Sequence, residues 1–285
     1  MTDRSATPAG PHDEADIPAV IDPHVAHVAR TYDYILGGKD NFAVDREAAE
    51  RLSEVFPGGL ETARRDVRAQ RSFLERAVRY LIEEAGVHQF LDIGTGIPNA
   101  DNVNGVAQQL APASRIVYVD NDPMVLAHAH TLLKSTPEGA TAFIEGDLRQ
   151  PEAVLERARQ TLDFNEPIGL MLVGILHVTA DADDPYAIVA RLAAALPSNS
   201  YLAISHLPKD IAPEAMAEME KRSHQMMRQP FVMRTHAQVV RFFDGLELLD
   251  PGVVPVDDWH PDPGVPDSTG VWEKTPLYGG VGRKP

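Results

Sequence analysis

The sequence predicts an α/β fold, a Rossmann-like, doubly wound and mostly parallel sheet, from three observations. Apolar runs rich in β-branched residues alternate with helical patterns from residue 89 onward. The runs are continuously apolar, which is typical of strands buried on both faces. The first three runs end in turns rich in Gly or Asp. The five runs are QFLDIG, RIVYVD, TAFIEG, IGLMLVGIL and SYLAISHL.

The chain before the first strand divides into two segments. Residues 1–20 are rich in Pro, Gly, Asp and Ala, so we expect a disordered tail. Residues 21–61 hold two short helical patterns around Gly37 and Gly38, with aromatic and polar side chains beside this break. This composition suits a helical lid over a site, and an amphipathic segment packed on the sheet is the alternative. Residues 62–285 are expected to form the Rossmann-like domain.

The first helix of that domain is predicted over Thr62–Ala85, where apolar side chains share one face and Gly86 follows. Its six arginines are interleaved with Glu61, Asp66 and Glu75 at spacings of three and four residues. This pattern predicts a solvated, ion-paired face rather than a patch that binds nucleic acid.

Further helices are predicted between the strands and after them. After His206 the alternation of strands and helices stops. The segments LELLDPGVVPV and GVWEKTPLYGGVG then predict two strands with no helix between them, as an antiparallel hairpin at one edge of the sheet. The predicted helices are Asn102–Leu110, Pro123–Leu133, Pro151–Thr161, Pro185–Leu196, Pro213–Met227 and Thr235–Phe243.

Composition excludes several classes of function. The 285 residues include 42 Asp and Glu against 26 Lys and Arg, a net charge of −16, which disfavours nucleic acid and anionic membranes as partners. The chain has no cysteine, so disulfides, thiolate nucleophiles and cysteine metal sites are excluded. No apolar run approaches 20 residues and the N-terminus lacks a secretory pattern, so we expect a cytoplasmic protein with a small-molecule partner. Homo-oligomerisation stays open.

Candidate binding residues follow the first three strands. In open α/β sheets, ligands bind beyond the carboxyl ends of the strands. Glycines there let the backbone approach a ligand, an acidic residue can accept hydrogen bonds from a ribose diol, and a carboxylate followed by a backbone N–H can bind adenine. The candidates are Asp92, Gly94, Thr95 and Gly96 after the first strand, Asp120 and Asn121 after the second, and Asp147 and Leu148 after the third.

The first turn disfavours a dinucleotide. The fingerprint GxGxxG needs a third glycine where this chain has Asn99, and Asp92 and Asp101 would repel a diphosphate. The sulfonium and ammonium groups of S-adenosyl-L-methionine are compatible with a carboxylate such as Asp92. A nicotinamide-dependent dehydrogenase is therefore the weaker alternative.

The turn motifs FLDIGTGIP, VYVDNDP and GDLRQP, in this order, resemble those of class I S-adenosylmethionine-dependent methyltransferases. The segments RTYDYILGGKDNFAVDREAA, VYVDNDPMVLAHA, SYLAISH and YGGVGRKP resemble, more narrowly, a bacterial S-adenosyl methyltransferase family formerly classed as a domain of unknown function. The resemblance spans about residues 25–284. It implies S-adenosylmethionine as cofactor.

The same resemblance implies roles for individual residues. Gly94 and Gly96 would shape the methionine pocket, Asp120 would bind the ribose, and Asp147 with Leu148 would bind the adenine. Arg71 lies nearest the family's pattern on the cofactor side. The implied function is methyl transfer to a small-molecule acceptor, and a non-catalytic module that binds the cofactor is the alternative.

Catalytic and acceptor-binding candidates come from four parts of the chain. His177 follows the fourth strand and is a candidate general base or cofactor contact, and Tyr34 and His206 are further candidate bases. The acidic run from Asp181 to Asp184 predicts a helix cap before Pro185, and we expect no metal site. Acceptor contacts are expected from Tyr32, Asn41 and Phe42 in the lid and from Trp259 in a Pro- and Gly-rich loop.

Overall fold

The computed structural model describes residues 21–97, 102–132, 134–262 and 274–285; the predicted disordered tail, residues 1–20, lies outside the described residues. Within them one sheet has the strand order β3-β2-β1-β4-β5-β8-β6, and β7 also pairs with β8. The strands are β1 (Gln89–Ile93), β2 (Arg115–Asp120), β3 (Ala140–Glu145), β4 (Gly169–Val173), β5 (Tyr201–His206), β6 (Glu247–Leu248), β7 (Val254–Pro255) and β8 (Tyr278–Arg283).

The first five strands are parallel, and β8 runs antiparallel to β5, β6 and β7. The predicted Rossmann-like, mostly parallel fold is therefore confirmed. Strand order reverses between β1 and β4, and this reversal opens a crevice at the carboxyl ends of the strands.

The helices lie largely where the sequence predicts them. The helix of the long arginine-rich pattern begins at Leu60 and ends at Glu83. The side chain of Asp184 accepts a hydrogen bond from the backbone N–H of Ala187, so the predicted cap of the following helix is confirmed. The helices are α1 (Val28–Leu36), α2 (Ala43–Ser53), α3 (Leu60–Glu83), α4 (Val103–Leu110), α5 (Pro123–Leu132), α6 (Pro151–Ala158), α7 (Pro185–Ala195), α8 (Pro213–Met226) and α9 (His236–Val240).

Two hydrophobic cores cover the two faces of the sheet. Along β1, Phe90 belongs to one core and Leu91 to the other, and in β2 Tyr118 and Val117 divide in the same way. Side chains alternate between faces in a strand, so a continuously apolar strand supplies both cores. None of the described helices is long and apolar enough to cross a membrane.

The C-terminal edge differs in detail from the predicted hairpin. The antiparallel pairing is present, but β8 lies between β5 and the two short strands β6 and β7. The segment LELLDPGVVPV is divided into these two strands around Pro251, which has no N–H for strand pairing. The last strand is therefore inside the sheet and not at its edge.

Buried polar contacts fix the N-terminal helices to each other and to the turn after β2. Asp45 is completely buried and accepts hydrogen bonds from Arg30 Nε at 3.0 Å and from the backbone N–H groups of His27 at 2.9 Å and Phe42 at 2.8 Å. His27 Nδ1 lies 2.7 Å from Asp122 Oδ2, just after β2. These contacts hold α1 over the carboxyl end of the sheet.

Candidate active site

One cavity of about 250 Å³ lies at the carboxyl ends of β1 to β4, between the sheet and the N-terminal helices. We call its two parts the sheet side and the helix side. The sheet side consists of the turns after the strands, with Asp92, Gly94, Thr95, Gly96, Asp120, Asn121, Asp147 and Leu148. The helix side has an apolar wall formed by Val28, Leu52, Phe56, Val178, Met219 and Phe231, and polar residues of the same segments, such as Thr31, Ser53 and Gln229, also line the cavity.

The turn after β1 passes close to the loop after β4. Gly94 has a φ of +78° and donates its N–H to the carbonyl of Val119 at 2.8 Å. A Cβ atom on Gly94 would lie 2.6 Å from the side chain of Ile175, so the turn requires glycine here for both conformation and space. The backbone of this turn therefore forms the floor of the sheet side.

Asp120 joins the first two turns. Its Oδ2 accepts the N–H of Gly96 at 2.9 Å, and its Oδ1 accepts the N–H of Asp122 at 2.9 Å. Burial raises the pKa of Asp120, although these two backbone donors oppose the rise. A carboxylate offers about four lone-pair sites, so each oxygen keeps capacity for one further donor.

Asp147 and Leu148 complete the sheet side after β3. Leu148 is buried, and the Asp147 carboxylate accepts hydrogen bonds from Arg149 Nε at 3.0 Å and Nη2 at 2.5 Å. Burial alone would raise the pKa of Asp147, but the hydrogen bonds from Arg149 outweigh it and lower the pKa. Arg149, which also lines the cavity, was not predicted from the sequence.

Comparison with known proteins decides the family. The model of the S-adenosyl methyltransferase family matches residues 14–285. The chain belongs to this family. The methyltransferase is 44% identical to a DUF574 family protein from Streptomyces avermitilis, with a TM-score of 0.86 and coverage of 93% of this chain and 99% of that chain.

A second solved structure gives the same result. A proposed methyltransferase from Thermobifida fusca is 38% identical, with a TM-score of 0.81, and the match covers 92% of this chain and 96% of that chain. No curated protein matches the chain. The predicted family and its cofactor, S-adenosylmethionine, are therefore confirmed, and the protein is an S-adenosylmethionine-dependent methyltransferase.

Asp92 is a buried carboxylate near the carboxyl end of β1 in the methyltransferase. Burial raises its pKa to about 7, Arg71 lowers it and Asp120 raises it further. Arg71 also lines the cavity, and its Nη2 donates to Asn102 Oδ1 at 2.7 Å. An anion in such a position is stabilised by a cationic ligand group.

We expect Asp92→Asn to stabilise the ligand-free methyltransferase more at pH 8 than at pH 5. The pKa of Asp92 is raised from 3.8 to about 7, so the folded protein carries the full cost of the buried charge above pH 7, and this cost decreases as the pH falls from 7 toward 3.8. Thermal unfolding should show a midpoint about 2–5 °C higher for the variant at pH 8. An equal shift at both pH values would contradict a titrating Asp92.

His177 lines the methyltransferase cavity directly after β4 and is buried. Burial and the nearby charge of Arg234 lower its pKa to about 3, so the imidazole stays neutral at physiological pH. A group with so low a pKa is a weak proton acceptor, and the structure does not favour the predicted general-base role. The imidazole can still supply a neutral hydrogen-bonding group to the cavity.

His206 is a buried structural histidine. Its Nδ1 lies 2.8 Å from the carbonyl of Leu207, and its Nε2 lies 2.9 Å from Arg234 Nη1. Nδ1 therefore donates, Nε2 accepts, and neither nitrogen is left to take a proton. Arg234 also donates to the carbonyls of Leu176 at 2.8 Å and Thr179 at 3.1 Å, on either side of His177, and so positions that residue.

Of the lid residues predicted to contact the acceptor, Tyr32 lines the cavity, and burial raises its pKa to about 12. Tyr34, Asn41 and Phe42 do not line it. The Tyr34 hydroxyl is exposed and donates to Glu50 at 2.9 Å, so the structure does not favour its predicted role as a base. Asn41 and Phe42 lie in the turn that begins α2, where Phe42 is the residue before the first helical turn, and their predicted acceptor contacts are not observed.

Trp259 does not line the cavity either, and the structure does not favour its predicted place at the acceptor entrance. The side chain is completely buried and packs edge-on against Phe73 at 5.5 Å and Tyr80 at 5.8 Å between ring centroids. It belongs to the core under α3. The large apolar ring is therefore part of the fold and not of the site.

Several cavity residues were not predicted. His27 and Thr31 come from α1 and its start, Asp66 and Gln70 come from α3, and Phe231 follows α8. Asp66 was placed on a solvated face, but it is 6% exposed. The cavity residues of α3 recur at positions 63, 66, 67, 70 and 71, a helical spacing that places them on one face of the helix. This spacing is the sequence signal that could have indicated which face of α3 lines the cavity.

Proposed function

We propose that the methyltransferase binds S-adenosylmethionine on the sheet side and transfers its methyl group to a largely apolar small-molecule acceptor on the helix side. One observation carries this proposal: both sides belong to one cavity, so a cofactor and an acceptor can lie next to each other. Nothing in the described residues favours the alternative of a non-catalytic binding module.

The sheet side fits the cofactor group by group. The Asp120 carboxylate, which keeps acceptor capacity, would bind the ribose hydroxyls, and Asp147 with the Leu148 backbone would bind the adenine. The turn at Gly94 and Gly96, with Thr95 between them, would hold the methionine portion, with Asp92 near its positive charges. Of the remaining predicted residues, Asn121 and Arg71 line the same side.

The bound cofactor supplies a methyl group on a sulfonium, which is already a good leaving group. The chain's own residues therefore need to align the acceptor and exclude water. The buried walls of the cavity and the N-terminal helices, held by His27 and Asp45, provide this enclosure.

The helix side indicates the nature of the acceptor. The six side chains of its apolar wall belong to or pack against one hydrophobic cluster that joins α2, α8 and the segment after α8. Ligand pockets of this kind bury the apolar body of a small molecule and use few polar contacts to orient it. A strongly basic peptide or a nucleic acid does not fit such walls.

Asp120→Ala should weaken S-adenosylmethionine binding at least tenfold, because the ribose hydroxyls lose a buried acceptor, as expected from about 1.5–3 kcal/mol for a hydrogen bond to a charged group. Isothermal titration calorimetry measures the change. Asp244→Ala is the matched control, because Asp244 is exposed and lies outside the cavity. An affinity of the Asp120 variant within threefold of wild type would overturn the assignment of the sheet side.

A further inference from the structure

A buried carboxylate on α3 has one oxygen without a partner. Arg65 donates to Asp66 Oδ1 from Nε at 3.0 Å and from Nη2 at 2.7 Å. The other oxygen, Oδ2, is buried and has no hydrogen-bond partner among the described residues. Buried polar atoms without partners are rare and costly in folded proteins, so this atom requires an explanation.

Asp66 lines the cavity between its two sides. Ala63, Asp66 and Gln70 succeed one another on one face of α3, and all three line the cavity. Of these three residues, Gln70 lies nearest the sheet. Its side chain donates to Ser205 Oγ at 2.8 Å and contacts Gly174 after β4. Ala63 lies at the opposite end of this row of residues. Its N–H donates to the carbonyl of Gly59, three residues after Phe56 of the helix side.

The surroundings of Asp66 leave it in need of a donor. Burial raises its pKa to about 6, Arg65 lowers it and Asp257 raises it, so the carboxyl is mostly ionised at neutral pH. Polar residues such as Thr31 and Gln229 also line the cavity, but none of the described residues donates a hydrogen bond to Asp66 Oδ2. A molecule in the cavity, either solvent or a ligand, is therefore the remaining source of a donor.

Given the function proposed above, we propose that the methyl acceptor is an apolar molecule with a hydroxyl or amine group, and that Asp66 Oδ2 accepts a hydrogen bond from this group. The same oxygen is placed to receive the proton that the acceptor's oxygen or nitrogen releases. An acceptor with a carboxylate or phosphate at this point is excluded, because its charge would face Asp66 in a buried setting.

The test uses three probes of one shape: 2-naphthol, 2-methoxynaphthalene and 2-naphthoate. Their affinities for the full-length protein are measured by calorimetry with S-adenosylhomocysteine at saturation. Wild type should bind 2-naphthol at least tenfold more tightly than either other probe. Asp66→Ala should bind 2-naphthol and 2-methoxynaphthalene within twofold of each other, and Asp66→Asn should reduce the preference at least threefold.

Glu61→Ala is the matched control, because Glu61 is an exposed acidic residue of the same helix, and it should keep the tenfold preference. Binding of S-adenosylhomocysteine itself shows whether each variant is folded. If wild type binds S-adenosylhomocysteine but shows no preference for 2-naphthol, or binds none of the probes, the role of Asp66 is overturned and the proposed function stands. If wild type does not bind S-adenosylhomocysteine, the proposed function fails as well.

Discussion

Replacing Asp45 with alanine is expected to lower the free energy of unfolding by about 3–5 kcal/mol. Asp45 is completely buried, and its carboxylate accepts three hydrogen bonds, one of them from the buried Arg30. The variant leaves the guanidinium of Arg30 buried without its carboxylate, and two backbone N–H groups without their acceptor. Urea unfolding followed by circular dichroism measures the change.

Glu47→Ala is the control for this prediction. Glu47 lies on the same helix, but its ion pair with Arg51 is exposed, with 61% and 59% of the two side chains accessible. Exposed pairs of this kind contribute about 0.3–0.5 kcal/mol. If Asp45→Ala cost less than about 1 kcal/mol, Asp45 would not be what fixes α1 to α2.

Replacing Gly94 with alanine is expected to cost about 2–4 kcal/mol of stability and to abolish measurable cofactor binding. The residue has a φ of +78°, and a Cβ atom would lie 2.6–2.7 Å from three atoms of Ile175. Relief of this overlap must move the turn after β1 or the loop after β4. Both line the sheet side of the cavity.

Gly96→Ala separates the overlap from backbone strain. Gly96 has a φ of +65°, but a Cβ atom there would have no neighbour within 4 Å among the described residues. Gly96→Ala should therefore lower the free energy of unfolding by about 1–2 kcal/mol, because the alanine must adopt the left-handed conformation. Chemical unfolding and calorimetry on both variants give the comparison. Equal losses for the two glycines would show that contact with Ile175 is not the reason for glycine at position 94.

The sheet and its sheet-side turns were predictable because their signals are local. The run QFLDI is apolar without alternation, and the structure divides its side chains between two cores, with Phe90 in one and Leu91 in the other. Parallel strands place their carboxyl ends together, so Gly96 and Asp120, 24 residues apart, were expected near each other and are hydrogen-bonded.

The burial of polar residues on α3 was not predictable because their contacts join distant parts of the chain. Arg76, one of the arginines assigned to a solvated face, is buried and donates to the carbonyls of Trp259 at 2.9 Å and Val256 at 2.6 Å. These partners lie 183 and 180 residues further along the chain. Local periodicity carries no information on such pairs, and Asp66 was misplaced on the same helix for the same reason.

Diffraction from crystals grown with S-adenosylhomocysteine tests the central claim most directly. The account predicts density for the ligand along the turns after β1, β2 and β3, with both ribose hydroxyls within hydrogen-bond distance of Asp120 and the sulfur directed toward the helix side. Density for the ligand at another place on the molecule, or with its sulfur directed away from Val28, Leu52 and Phe231, would contradict the account.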